Sequence, residues 1–194
     1  MRKEPIQARA RNTVRSIVDA ATQVLSQHGW AGFNTNNVAE RAGVSIGTLY
    51  QYFPDKLALI ETIRDQHFAE VLGTLRDTLS SEGDISELSR SLITGMISAH
   101  SSPRLHAALL EDAPLTTEGR ALHKRFEEAY LNEYVSLLTR AGWHGTTKRL
   151  QASARVIAGA VEGMVHTATL HKENVGRDFL SLASGIVEQI LSRS

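Results

Sequence analysis

Apolar residues recur at steps of three and four along most of the chain, which predicts helices. From Thr13 the positions Val14, Ile17, Val18, Ala21, Val24 and Leu25 fall on one helix face, and His28-Gly29 ends the run. Trp30 and Phe33 follow in a short loop, as plugs docking this helix on the next two. Asn34 is placed to cap a second helix, Thr35 to Ala42, with Val38, Ala39 and Ala42 inward. A break at Gly43-Val44-Ser45 precedes a third helix of about Ile46 to Tyr52, with Leu49 and Tyr52 inward, and Phe53-Pro54 stops it. Longer patterns follow: Leu57 to Leu79, Ile85 to His100, a short segment Leu105 to Leu110 after Pro103, and Leu122 to Arg140. After the loop Gly142 to Gly145 come two more, about Thr147 to His171 and Val175 to Leu191. The expectation is an all-α chain of about nine helices. Residues 1–55 form an N-terminal arm and a three-helix head, and residues 56–194 form a larger helical body.

The head carries the most specific spacing. A small residue, Ala39, suits two short helices crossing at close range, and Gly43 four positions later suits a turn needing positive φ. Val44, Leu49 and Tyr52 then fall one, six and nine residues beyond the glycine. Two short helices joined by such a turn form a helix-turn-helix. On the outer face of the third helix Ser45, Ile46, Gly47, Thr48, Tyr50 and Gln51 are uncharged, and several can both donate and accept. Gln can pair bidentately with adenine, Thr or Ile can touch a thymine methyl, and Gly47 lets a backbone come close. Lys56, in the first turn of the next helix, is unfavourable to the helix dipole but suited to a phosphate.

Charge changes this picture little. The 194 residues carry no net formal charge, yet residues 1–56 hold seven basic residues against four acidic ones. A basic head on an acidic body fits a head that meets phosphate. Residues 1–11, polar and basic with Pro5 among them, read as a mobile arm able to lie along phosphates or reach a minor groove.

Several chemistries drop out. There is no cysteine, which removes disulfides, thiolate metal sites and cysteine nucleophiles. No leader-type stretch or bilayer-length apolar run is present, so a cytoplasmic protein without a membrane partner is expected. Gly43 to Gly47 matches G-x-S-x-G, but a nucleophile elbow follows a strand and here a helix precedes it. The pairs His100/His106 and His166/His171 lack the usual same-face spacing of helical metal ligands. No enzyme, cofactor or metal centre is expected.

Residues 13–60 resemble the DNA-binding head of the TetR family of bacterial transcriptional repressors. The resemblance rests on Ile17, Ala20-Ala21, Gly29, Phe33, Thr35, Val38-Ala39, Ala42 to Ser45, Gly47 to Tyr50, Tyr52-Phe53, Lys56 and Leu59; the run AGVSIGTLYQYFPDK is its most specific part. The match departs at Asn36-Asn37, where members often carry a charged residue, which bears on base preference. The resemblance implies a homodimer whose two heads read a palindromic double-stranded DNA operator. It also implies that a small-molecule effector bound in the body releases the DNA.

Phosphate contacts are assigned to Thr35, Tyr52 and Lys56, and base readout to Asn36 and to Ser45, Ile46, Gly47, Thr48, Tyr50 and Gln51. The last two predicted helices carry small residues and two apolar faces each, which suits a two-fold interface between subunits. By resemblance the effector pocket lies among the fourth to eighth helices. Its candidate lining is Met96, His100, His106, Leu110 and Phe126, with Tyr130, Tyr134, Trp143, Met164 and His166. The rival reading is a helical small-molecule-binding or catalytic bundle with a vestigial head, which the lack of a catalytic constellation disfavours.

Overall fold

The computed structural model describes residues 4–100, 102–170 and 176–192, with side chains from residue 8 onward. Among these the chain forms nine α-helices and one π-helical turn, and no strand. The helices are α1 (Glu4–His28), α2 (Thr35–Ala42), α3 (Ile46–Tyr52), α4 (Lys56–Ser80), α5 (Ile85–Ala99), α6 (Pro103–Ala107), α7 (Thr117–Arg140), α8 (Thr147–Leu170) and α9 (Arg177–Leu191). The π-turn covers Ala108–Asp112 directly after α6.

Two boundaries differ from the sequence expectation. The arm expected to be mobile is helical from Glu4. Gln7 to Arg11 are good helix formers, and Pro5 sits in the first turn, where its missing N–H is not needed. Arg2 and Lys3 lie outside the described residues. Helix α7 starts at Thr117 rather than Leu122, because Thr116 caps it by accepting the Gly119 N–H at 3.0 Å. His171 and Val175, expected at the ends of the last two helices, also lie outside the described residues.

The chain divides into two compact units: Met1–Gln66 with Ser102–Gly119, and His67–Ser101 with Arg120–Ser194. This division does not follow the boundary at residues 55/56. The eighteen residues Ser102–Gly119 after α5 belong with the head, and α4 continues through the division.

In the first unit Ile17, Ala21, Val24 and Leu25 of α1 meet Val38 and Ala39 of α2, Leu49 of α3, and Leu59, Ile60 and Ile63 of α4 in one buried cluster. Ala108 and Leu109 of the π-turn close it. Arg41 of α2 is held by two glutamines of α1, donating to Gln23 Oε1 at 2.9 Å and Gln27 Oε1 at 3.1 Å. Arg104 of α6 donates to the Gln27 carbonyl.

In the second unit the core runs from Val71 and Leu75 through Leu92, Ile93 and Met96 to Tyr134, Leu137 and Leu138, and on to Ile157, Val161, Val165, Val187 and Leu191. Arg76 and Glu133 pair at 2.8 Å between α4 and α7. Asp84 and Glu87 form a reciprocal capping box that starts α5. Arg140 at the end of α7 donates to the Leu79 and Ser81 carbonyls at the C-terminal end of α4, where carbonyls lack helix partners.

Candidate nucleic-acid interface

The interface is built by local hydrogen bonds that the sequence specifies within a few residues. Asn34 Oδ1 accepts the Asn36 N–H at 2.8 Å and opens α2. Gly43 closes it with φ 68°, a left-handed conformation that costs other residues about 1–2 kcal/mol. The Gly43 N–H reaches Glu40 O at 3.1 Å and the Val44 N–H reaches Ala39 O at 3.0 Å, a Schellman cap with its apolar contact from Val44. Ser45 caps α3 by accepting the Thr48 N–H at 3.0 Å, and the two hydroxyls meet at 2.8 Å. Leu49 is fully buried and anchors α3.

The other α3 side chains behave differently. Ile46, Tyr50 and Tyr52 are 38%, 47% and 39% exposed, unusually high for large apolar groups in a folded head. Gly47 and Gln51 are exposed beside them. A Cβ built at Gly47 would meet only Ser45 Oγ, at an ordinary 3.8 Å, so nothing within the head requires glycine there. Tyr52, expected on the inner face of α3, points outward. Phe53, beyond the last turn, fills the inner position and its N–H returns to Leu49 O at 3.0 Å.

The structure brings most of the assigned contacts together. Thr35 Oγ1 and the Tyr50 hydroxyl are 3.1 Å apart, linking the start of α2 to the middle of α3. Asn36 is exposed next to Thr35. Ser45 and Thr48 are first of all a cap, which leaves their shared hydroxyls less free to read bases. Lys56 Nζ lies 3.7 Å from the Trp30 ring centroid, and Trp30 stacks on Phe33. A cation–π contact therefore holds the ammonium in place. Asp55 caps α4 by accepting the Ala58 N–H at 2.8 Å, so that N–H is already occupied.

The candidate effector residues divide between the units. His106 and Leu110 belong to the first; Met96, His100, Phe126, Tyr130, Tyr134, Trp143, Met164 and His166 belong to the second. There Phe68 of α4 stacks on Phe126 at 4.0 Å, and Phe126, Tyr130 and Tyr134 continue as a ladder of rings at i, i+4 and i+8 on α7. The Tyr130 and Tyr134 hydroxyls are 3.4 Å apart. Burial pushes the Tyr130 phenol up to about 12 and the Tyr134 phenol well above its usual value, so both stay neutral donors. Trp143 donates its indole N–H to Leu191 O at 3.1 Å, tying the α7–α8 loop to the end of α9.

Sequence reasoning missed one pair. His67 of α4 and His100 of α5 are both buried, with ring centroids 5.3 Å apart. Burial, with the charge of His100 as a second cause, lowers His67 to about 4, and burial also lowers His100. His100 Nδ1 lies 2.8 Å from the Met96 carbonyl, which can only accept, so the ring proton is on Nδ1 and the lone pair on Nε2. Each ring offers a nitrogen within 4.8 Å of one on the other, the donor type a late transition metal would use. The pair lies 33 residues apart in sequence, which hides it; only the place of His67 on the apolar stripe of α4 marked it as buried.

Comparison with known proteins identifies the head. Residues 17–63 match the family described as bacterial regulatory proteins, tetR family. The fatty acid metabolism regulator protein of Bacillus subtilis is 24% identical over 185 residues, 91% of this chain and 92% of that protein. The repressor KstR of Mycolicibacterium smegmatis is 37% identical over 57 residues, 29% of this chain and 28% of that one. Two solved structures share the fold. FadR from Bacillus halodurans has a TM-score of 0.71 at 22% identity, covering 94% of this chain and 95% of that one. FadR from Bacillus subtilis, solved in complex with stearoyl-CoA, has a TM-score of 0.70 at 21% identity, covering 92% and 98%. Among the described residues there is no strand, and no described helix is long and apolar enough to cross a membrane; the chain is all-α, and its residues 17–63 match the tetR family of bacterial regulatory proteins.

Proposed function

We propose that the chain is a cytoplasmic homodimeric repressor that binds a palindromic operator and is released by an acyl-type small molecule. The observation that carries the DNA reading is the outer face of α3, where Ile46, Tyr50 and Tyr52 stay exposed among hydroxyl and amide groups on a rigidly capped helix. Asn36, Tyr50 and Gln51 read base edges, and Thr35, Tyr52 and Lys56 set the register on phosphates. A vestigial head would have no reason to keep such a face open.

Dimerisation is supported by a second surface. Val156, Gly159, Gly163 and Leu170 follow one face of α8, and Leu182, Gly185 and Ile186 one face of α9. Val156, Leu170 and Leu182 are 67–70% exposed. The glycines have no atom within 4 Å of a built Cβ, which leaves room for another helix to approach closely. Two heads then meet successive major grooves about 34 Å apart, and an effector that changes their separation releases the DNA. The acyl class of effector is supported by the relatives of near full length, one a fatty acid metabolism regulator and one holding stearoyl-CoA. The ring ladder of α7 with its two neutral phenols suits an apolar ligand carrying a hydrogen-bond acceptor.

A gel shift on the chain's own promoter region tests this. Specific, steeply salt-dependent retardation that palmitoyl-CoA reverses is expected. Retardation without sequence preference at any salt would overturn the reading.

A further inference from the structure

Arg64 is a fully buried guanidinium in the first unit. Its Nε donates to Leu109 O at 2.8 Å, at the π-turn. Its two terminal nitrogens, Nη1 and Nη2, have no hydrogen-bond partner among the described residues. Buried N–H groups of a cation left without hydrogen-bond partners are unfavourable. Burial lowers its pKa and Glu61 raises it, but an arginine remains charged at any ordinary pH.

The first turn of α7 comes close to the guanidinium. A Cβ built at Gly119, in the first turn of α7, would lie 3.4 Å from Arg64 Nη1 and 2.7 Å from Glu61 Oε1. Glycine therefore lets the first turn of α7 come closer to Glu61 and the guanidinium than any side chain would allow. Thr116 donates its hydroxyl to Glu61 Oε1 while accepting the Gly119 N–H. The positive end of the α7 dipole adds to the same field. A planar fork with two free N–H edges matches the two oxygens of a carboxylate or phosphate.

We propose that Arg64, beside Gly119 at the start of α7, is an anion-binding site that takes the carboxylate or phosphate group of the effector. The assignment rests on reading the chain as effector-controlled. Arg64 lies on the same helix as Lys56, two turns further on, so an anion held there acts on the helix that enters the head.

Calorimetry on the full chain tests it with three probes: inorganic phosphate, palmitate and palmitoyl-CoA. At least one binds the wild-type protein. Arg64→Met weakens that binding about tenfold or more with an unchanged circular dichroism spectrum, and Arg64→Lys lies between them. Glu61→Gln, which removes the competing carboxylate, tightens it. If Arg64→Met does not fold, Gly119→Ala keeps the charge but crowds Glu61 and the guanidinium, and weakens binding instead. Binding of palmitate without phosphate identifies a carboxylate; binding of phosphate or only of the CoA thioester identifies a phosphate. The proposal falls if the wild-type protein binds none of the three, or if Arg64→Met (Gly119→Ala where that variant is unfolded) binds as the wild type does. Operator retardation on the same samples is scored separately: its loss sinks the repressor reading and leaves the anion result standing, and the converse also holds.

Discussion

Each unit exposes large apolar side chains, but in different company. On α3 of the head, Ile46, Tyr50 and Tyr52 alternate with Gly47, Thr48 and Gln51, and Tyr50 is hydrogen-bonded to Thr35. On α8 and α9 of the body, Val156, Leu170, Leu182 and Ile186 are accompanied by glycines. The first surface mixes apolar contact with directed donors and acceptors, as base edges require. The second offers only close packing, as a second helix pair requires. Exposure alone does not distinguish these two surfaces; the neighbours do.

The strongest way to break this contrast is a charge on the apolar surface. Leu182→Arg, or the double change with Ile186→Arg, is expected to yield a folded monomer by sedimentation. Operator affinity is expected to fall on the order of a hundredfold or more, because one head loses the benefit of the other. A dimer that survives the double change would show that α8 and α9 are an ordinary solvent face.

The body differs from the head inwardly as well, and acid distinguishes them. The His67 pKa is lowered from the usual 6.5 to about 4 in the folded chain. The unfolded chain takes up the proton first, so this contribution to stability is intact above about pH 6.5 and is lost as pH falls towards 4. The slope approaches about 1.4 kcal/mol per pH unit, and the total is on the order of 3 kcal/mol. His100, lowered by burial and feeling His166, Glu162 and Glu70, acts in the same direction. Urea unfolding followed at stepwise lower pH is the measurement, and His67→Gln should flatten the profile. An unchanged midpoint between about pH 7 and 5 would mean that the pair titrates as freely as surface histidines.

These two interiors also explain what could be read from the sequence. The head was legible because its bonds are short-range: Asn34 to Asn36, Ala39 to Val44, and Ser45 to Thr48 span five residues or fewer. Tyr52 is exposed rather than inward, and apolar spacing cannot distinguish an aromatic that fills a core from one that stays at the surface. Helix positions in the body were legible from periodicity, and the rings of α7 stood out at four-residue steps. The polar meetings were not. His67 with His100, and Arg64 with Leu109, join residues 33 and 45 apart in sequence. Nothing in a helical period says which buried polar groups will converge. The return of residues 102–119 to the head was hidden for the same reason, since a short apolar segment fits either unit equally well.

Smaller changes sharpen the reading surface itself. Tyr50→Ala should weaken specific operator binding about tenfold, within the range of a lost base contact, and leave dimerisation unchanged. Tyr50→Phe separates the ring from the hydroxyl that meets Thr35. Equal affinity for specific and scrambled DNA in the wild type, or an unchanged preference in Tyr50→Ala, would remove Tyr50 from base readout.

The finest test is at Gly47. Glycine in a helix costs about 1 kcal/mol against alanine, and an added methyl at this position meets only Ser45 Oγ at 3.8 Å. Gly47→Ala should therefore stabilise the isolated protein slightly, by less than about 1 kcal/mol, and raise its melting temperature. If α3 presses its backbone against DNA, the same methyl should weaken operator binding severalfold. The two signs must be opposite: a more stable protein that binds less well. A variant that is both more stable and equally tight would show that the glycine serves no close approach, and that α3 reads DNA through its longer side chains alone.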